Sequence, residues 1–145
     1  MWRRGALTVA FDGEPFPVAQ TARLPRGEIM HPAIYHLFML MLSGSDFFAG
    51  AMVNALSERL VVSTIHEGHR YRASFSRGGL VGLLDRVDCA ERLGSSWLTF
   101  APDREILSGD ADETSTRAVV ERTKALVPDV DCSFVDRSSD EADWA

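Results

Sequence analysis

A chain of 145 residues, 46% hydrophobic and 25% charged, has the size and balance of one soluble globular domain. Those values exclude a chain that is mostly disordered, and a domain of this length buries enough surface to fold without a metal or a disulfide. The formal net charge of −6 argues against a polyanion-binding surface over the whole molecule, so direct nucleic-acid binding is not expected.

The charge is unevenly placed. Residues 1–100 carry 10 Arg and 9 acidic residues, whereas residues 101–145 carry 5 basic and 12 acidic ones. The acidity peaks in Ser138-Ser139-Asp140-Glu141-Ala142-Asp143, so residues 138–145 are expected to form an acidic, flexible tail on a single domain spanning 1–137. Fourteen Arg against one Lys fits an Arg-biased genome. Cys89 and Cys132 form no Cys-x-x-Cys pair, and no signal peptide follows Arg3-Arg4. A cytoplasmic protein with two reduced thiols is expected.

In chain order, Leu7–Phe11 is a short strand rich in β-formers, running into the turn-rich Asp12-Gly13-Glu14-Pro15-Phe16-Pro17. Residues 33–42 are apolar on nearly every side, which predicts a buried or interfacial helix, too short to span a bilayer. Asp46 can cap a second helix over 47–58. Leu60–Ile65 and Arg70–Phe75 read as two strands around a Glu67-Gly68 turn. Gly78-Gly79 and Gly82 read as a loop. Ser96–Phe100 is a strand stopped by Pro102. Residues 115–126 form an amphipathic helix with Thr114 or Ser115 as its cap, and Asp131–Val135 is a last strand. The expected core is Ile34, Leu37, Phe38, Met41, Met52, Leu56, Phe75, Phe100, Val119 and Leu126.

Histidines stand at 31, 36, 66 and 69. His66 and His69 flank the predicted turn; two polar rings on a surface hairpin is the favoured reading over a metal pair, because only Glu67 is near as a third ligand. His36 is expected to be a hydrogen-bonded core residue. Gly-x-Ser-x-Gly and Walker A sequences are absent.

Several stretches together resemble one family. Leu7 to Val18 is similar to the strand and loop that reads Val-x-Asp-Asp-Gly-Arg-Gly-Ile-Pro-Val in the B component of DNA gyrase. Val53-Asn54-Ala55-Leu56-Ser57-Glu58-Arg59-Leu60 resembles the same component's Val-Val-Asn-Ala-Leu-Ser-x-x-Leu. His66-Glu67-Gly68, Arg72, Phe75, Arg77-Gly78, Leu93-Gly94-Ser95 and Thr99-Phe100-Ala101-Pro102-Asp103 follow in the family's order. The resemblance is to the N-terminal ATPase domain of gyrase B, in the GHKL superfamily, and covers nearly the whole chain. It implies an α/β (α+β) sandwich: a mixed, mostly antiparallel sheet with helices on one face.

The resemblance also implies a nucleotide site, and the residues at its positions depart from the pattern. Only six residues precede Leu7, so the family's helix with a catalytic glutamate and a magnesium-binding asparagine is expected to be missing. The adenine-binding aspartate aligns with Phe11, and Asp12 with the residue after it. Glu14 and Pro15 replace the loop's arginine and second glycine. The glycine-rich lid has no counterpart between Ser45 and Met52. Ser95 matches a threonine near the adenine. The remnant nucleotide positions are therefore Phe11, Asp12, Gly13, Pro17 and Ser95. No catalytic residue and no metal ligand are assigned, and ATP and magnesium are expected to be lost.

These readings lead to a non-catalytic gyrase B-like interaction module. Its expected partner is a second copy or a gyrase- or topoisomerase-like subunit. The interface candidates are Tyr35, Phe38, Met39 and Leu42 with Phe47 and Phe48. The alternatives are an ATP-binding part completed by a partner chain and a small-ligand binder using the remodelled pocket around Phe11, Phe16 and Ser95.

Overall fold

The computed structural model describes residues 2–3, 5–18, 21–23, 30–39, 48–87, 95–108, 112–129, 131 and 133–135. Six strands form one sheet: β1 (Trp2–Arg3), β2 (Ala6–Phe11), β5 (Ser57–His66), β6 (His69–Ser76), β7 (Gly79–Val87) and β8 (Ser96–Pro102), in the order β1-β2-β8-β5-β6-β7. Every described pairing is antiparallel. A separate two-stranded ribbon joins β3 (Thr21–Arg23) to β4 (Met30–Pro32), and the helices are α1 (Ala33–Phe38), α2 (Phe48–Ala55) and α3 (Glu113–Leu126).

Two hairpins define the far half of the sheet. Glu67 and Gly68 have φ of 51° and 78°, and Arg77 and Gly78 have φ of 48° and 83°. Positive φ at both turn residues is the geometry that matches strand twist in a two-residue hairpin. The glycines read as a loop from sequence belong instead to a tight turn and a strand: Gly78 closes the second turn, Gly79 opens β7, and Gly82 (φ 79°) sits in the irregular stretch where β7 carries extra residues against Arg72–Ser74. Such a bulge uses the left-handed freedom of glycine without ending the strand.

Strand alternation directs one side of the sheet at the helices. Leu60 and Val62 of β5 and Ala73 and Phe75 of β6 pack against Ile34, Tyr35 and Phe38 of α1, with Val53, Leu98 and Phe100 at the margin. Burial raises the pKa of the Tyr35 phenol, a shift moderated by its hydrogen bond to the Leu84 backbone. The expected core residues Ile34, Phe38 and Phe75 are buried, and Leu37, Leu56 and Phe100 are partly so. Met52, Val119 and Leu126 are exposed; Met41 lies outside the described residues.

Both early helices are shorter than their sequence pattern. Among the described residues α1 ends at Phe38, and Met39 is already extended at φ −113°. The Asn54 side chain fills the helix end, its Nδ2 donating to the Phe38 carbonyl at 2.6 Å. Helix α2 stops at Ala55 rather than 58 because Ser57 has entered β5, paired with Pro102. Two ties hold that junction. The Gly78 N–H donates to Asn54 Oδ1 at 3.2 Å, and Arg77 Nε reaches the buried Asp103 carboxylate at 2.7 Å. Asp103 and Glu105 together push the Arg77 guanidinium above its ordinary pKa. The Val-Asn-Ala-Leu-Ser stretch, the most specific part of the resemblance, thus works here as a structural knot.

The C-terminal part departs furthest from expectation. Asp112, not Thr114 or Ser115, caps α3, its Oδ1 accepting from Ser115 N at 2.7 Å. No residue of α3 is buried, so it covers neither face as the other two helices do. Asp131 and 133–135 are not in a strand. Phe134 lies instead under the Arg117 guanidinium, 4.5 Å from ring centroid to Cζ, so it contacts α3 where sheet pairing was expected. Cys89, Cys132 and the tail 138–145 lie outside the described residues.

Candidate functional site

The remnant positions converge at one end of the sheet. Strand β2 ends at Phe11, opposite Ser96 at the start of β8. Ser95 stands just before that pair. Its N–H donates to the Phe11 carbonyl at 3.1 Å, and its one hydroxyl proton is shared between the Gly13 carbonyl at 2.6 Å and the Phe11 carbonyl at 3.1 Å. The Asp12-Gly13-Glu14 turn is thereby fastened to β8, with Asp12, Gly13 and Glu14 exposed.

The next residues turn inward. Pro15 and Pro17 have no N–H, so Phe16 carries the one backbone donor of the triplet. That N–H donates to Thr64 Oγ1 at 2.9 Å, with Ser96 Oγ at 3.4 Å. Thr64 and Ser96 face each other across β5 and β8, their hydroxyls 2.8 Å apart, and both residues are wholly buried. The Phe16 ring meets Phe11 edge to face at 5.3 Å and Phe38 at 5.4 Å, and Phe38 continues the row to Phe75 at 5.8 Å. Edge-to-face contacts of this kind add about 1 kcal/mol beyond buried area.

Of the five remnant residues, the structure joins Phe11, Gly13 and Ser95 directly and leaves Asp12 and Pro17 exposed. The buried hydroxyl at this end belongs to Ser96, one residue beyond the position singled out from sequence, with Thr64 as its partner. Strand alternation is the signal that finds them: Ser96, Leu98 and Phe100 lie on the helix-facing side, as do Leu60, Val62 and Thr64. The interface candidates fare differently. Tyr35 and Phe38 are each 3% exposed and belong to the core, and Met39 packs partly buried against it. The apolar character of Tyr35 and Phe38 is used up by the chain's own core, which corrects the expectation of a surface at those two residues. Leu42 and Phe47 lie outside the described residues, as does the side chain of Phe48.

The two turn histidines pair across the hairpin, with Arg86 Nη2 2.9 Å and 2.7 Å from the His69 ring nitrogens. Among the described residues no group of three or more His, Cys, Asp or Glu is placed to hold a metal ion, and no helix is long and apolar enough to cross a membrane. His36 is half-buried in α1.

This sheet, with helices packed on one side, is the fold of a GHKL-type ATPase domain. The 43K ATPase domain of Thermus thermophilus gyrase B, solved in complex with an aminocoumarin, superposes with a TM-score of 0.67 at 34% identity, over 85% of this chain and 32% of that one. The topoisomerase IV ATP-binding domain of Francisella tularensis, solved in complex with a small-molecule inhibitor, shares the fold at a TM-score of 0.64 and 22% identity, over 84% of this chain and 60% of that one.

The homologues of the chain are the GHKL-type ATPase domains of gyrase B and of its type 2 topoisomerase counterparts. It is 33% identical to the gyrase B protein of Thermus thermophilus over 148 residues, covering 92% of this chain. It is 32% identical to the type 2 topoisomerase B protein of Aquifex aeolicus over 117 residues, covering 72% of this chain. The chain spans 23% and 14% of the length of those two relatives. No family model matches it.

Proposed function

We propose that this chain is a gyrase B-type ATPase fold that does not turn over ATP and acts as a protein interaction module, its partner being a topoisomerase-type subunit or a second copy of itself. The observation that carries this reading is the Phe16 ring set between Phe11 and Phe38 at the end of the sheet. By the resemblance, Phe11 stands where the family places the aspartate that accepts a hydrogen bond from adenine. A phenyl ring accepts none, so an adenine amino group buried there loses its partner, a penalty of about 1–3 kcal/mol. Pro15 stands at the second loop glycine and brings neither an N–H nor positive φ to a phosphate. Neither ATP nor magnesium is a cofactor in this reading.

The partner class rests on the relatives, which are named as subunits. Exposed apolar residues away from α1 offer contact surface: Leu83 at 81%, Leu126 at 75% and Val119 at 62% exposure.

Two assays test the main reading. Phosphate release with ATP and magnesium is expected to stay at buffer background for the chain alone, and at the added subunit's own rate when a gyrase subunit is present. Turnover by the chain alone contradicts the reading, and turnover above the added subunit's own rate favours an ATP-binding part completed by a partner. Size-exclusion chromatography with light scattering is expected to give a mass above the 16.0 kDa of one chain for the chain alone, or to carry the chain into the peak of an added subunit; a separate monomer peak in every mixture removes the interaction role.

A further inference from the structure

We infer that the Pro15-Phe16-Pro17 segment is a plug held in cis: it occupies the end-of-sheet cleft as a ligand would, and Ser95 is the latch that keeps it there. The inference rests on the reading of this cleft as a closed nucleotide site and adds how the closure is held.

Three features set this segment apart from an ordinary surface loop. First, it engages the cleft by both parts of a ligand's chemistry. Its ring joins an aromatic row running into the core, while its lone N–H meets a buried hydroxyl pair drawn from two different strands. Second, it is pre-stiffened. Prolines on both sides of Phe16 restrict the backbone before it docks, which lowers the entropy lost on closing. Third, it is fastened at its base. Ser95 Oγ bonds the carbonyls of both Phe11 and Gly13, where the chain leaves β2 and turns toward Phe16. A Cβ at Gly13 would meet only the Phe11 ring, at 3.9 Å, so the turn is not crowded at the point where the Ser95 bonds hold it.

Without the Phe16 ring, Phe11 and Phe38 would lose the ring between them, and the Thr64 and Ser96 hydroxyls would lose the Phe16 N–H. That chemistry suits a planar aromatic molecule carrying one N–H donor. Access to it depends on opening the segment at residues 12–18.

Amide hydrogen exchange of the intact chain tests the plug directly. The Phe16 amide lies outside any helix or strand, yet it is expected to exchange at least about 100-fold more slowly than an unstructured amide. Ser95→Ala is expected to restore about tenfold of that rate at Phe16 while leaving the amides of Val62 and Phe75 unchanged. Phe16→Ala, titrated with indole, is expected to show saturable shifts of the Thr64 and Ser96 amides, which the unaltered chain does not show. Free exchange at Phe16 overturns the plug. Protection at Phe16 that Ser95→Ala leaves intact overturns the latch. Equal indole uptake by the unaltered chain overturns the occlusion. If Phe16→Ala does not fold, Phe16→Leu, which leaves part of the cleft open, takes its place with the same readout. None of these results depends on ATP, so failure of the plug and failure of the pseudo-ATPase reading remain distinct.

Discussion

The junction of α1, α2 and the β6–β7 turn and the C-terminal helix α3 both contain helices with apolar residues, yet they end in opposite environments. At the junction, Asn54 is wholly buried and ties three segments: its own helix, the end of α1 through Phe38, and the hairpin through Gly78. In α3 the residues at the same three-and-four spacing, such as Val119 and Leu126, face solvent. What holds α3 is local: its Asp112 cap, Arg117 paired with Glu113 and Lys124 with Glu121. Periodicity says that a helix has an apolar side; only a buried polar tie or a close backbone approach says what that side packs against.

The largest effect that would separate the two regions is expected from Gly50→Ala. An added Cβ at Gly50 would land on the Leu37 carbonyl oxygen, and backbone cannot step aside as a flexible side chain can. A loss of about 3 kcal/mol is expected in chemical denaturation, without change in the α3 amides. Asn54→Ala comes next. It leaves the Phe38 carbonyl and the Gly78 N–H with one partner fewer each in a buried site, for about 2 kcal/mol. A midpoint equal to that of the unaltered chain would remove the knot from the account.

The β5–β6 hairpin was legible in the sequence because Glu67-Gly68 lies between two β-rich runs. Strand β7 was not, because three glycines in five residues resemble a loop, and only the register shows that one closes a turn and another forms a bulge. The ends of α1 and α2 were overrun because tertiary bonds, to Phe38 and across Ser57–Pro102, outweigh helix propensity. At the site, Phe11 was placed from the family pattern, and Ser95 proved to sit there as well. The buried pair Thr64 and Ser96 went unnoticed, since a hydroxyl one position along a strand looks the same in sequence but faces the other side of the sheet.

Smaller effects are expected in α3. Leu126→Ala should change stability by no more than about 0.5 kcal/mol, because the side chain is already in water; a larger loss would mean that α3 is covered in solution. The smallest effect is a pH dependence. The Ser115 N–H and hydroxyl hold the Asp112 carboxyl below its ordinary value of 3.8. The folded state therefore binds this proton less readily than the unfolded one. The cap is fully effective above that ordinary value and is lost as pH falls through the lower folded value. Circular dichroism is expected to show fraying of about one helical turn over that acidic window, absent in Asp112→Asn, which caps without titrating.

The central claim is that Phe11 and Phe16 close the nucleotide site. Calorimetric titration with magnesium and a non-hydrolysable ATP analogue tests it most directly. The account predicts heats no different from dilution up to about 1 mM ligand, a level at which any affinity stronger than about −4 kcal/mol would register. Saturable binding in the micromolar range, with one analogue per chain and heat that depends on magnesium, would contradict it.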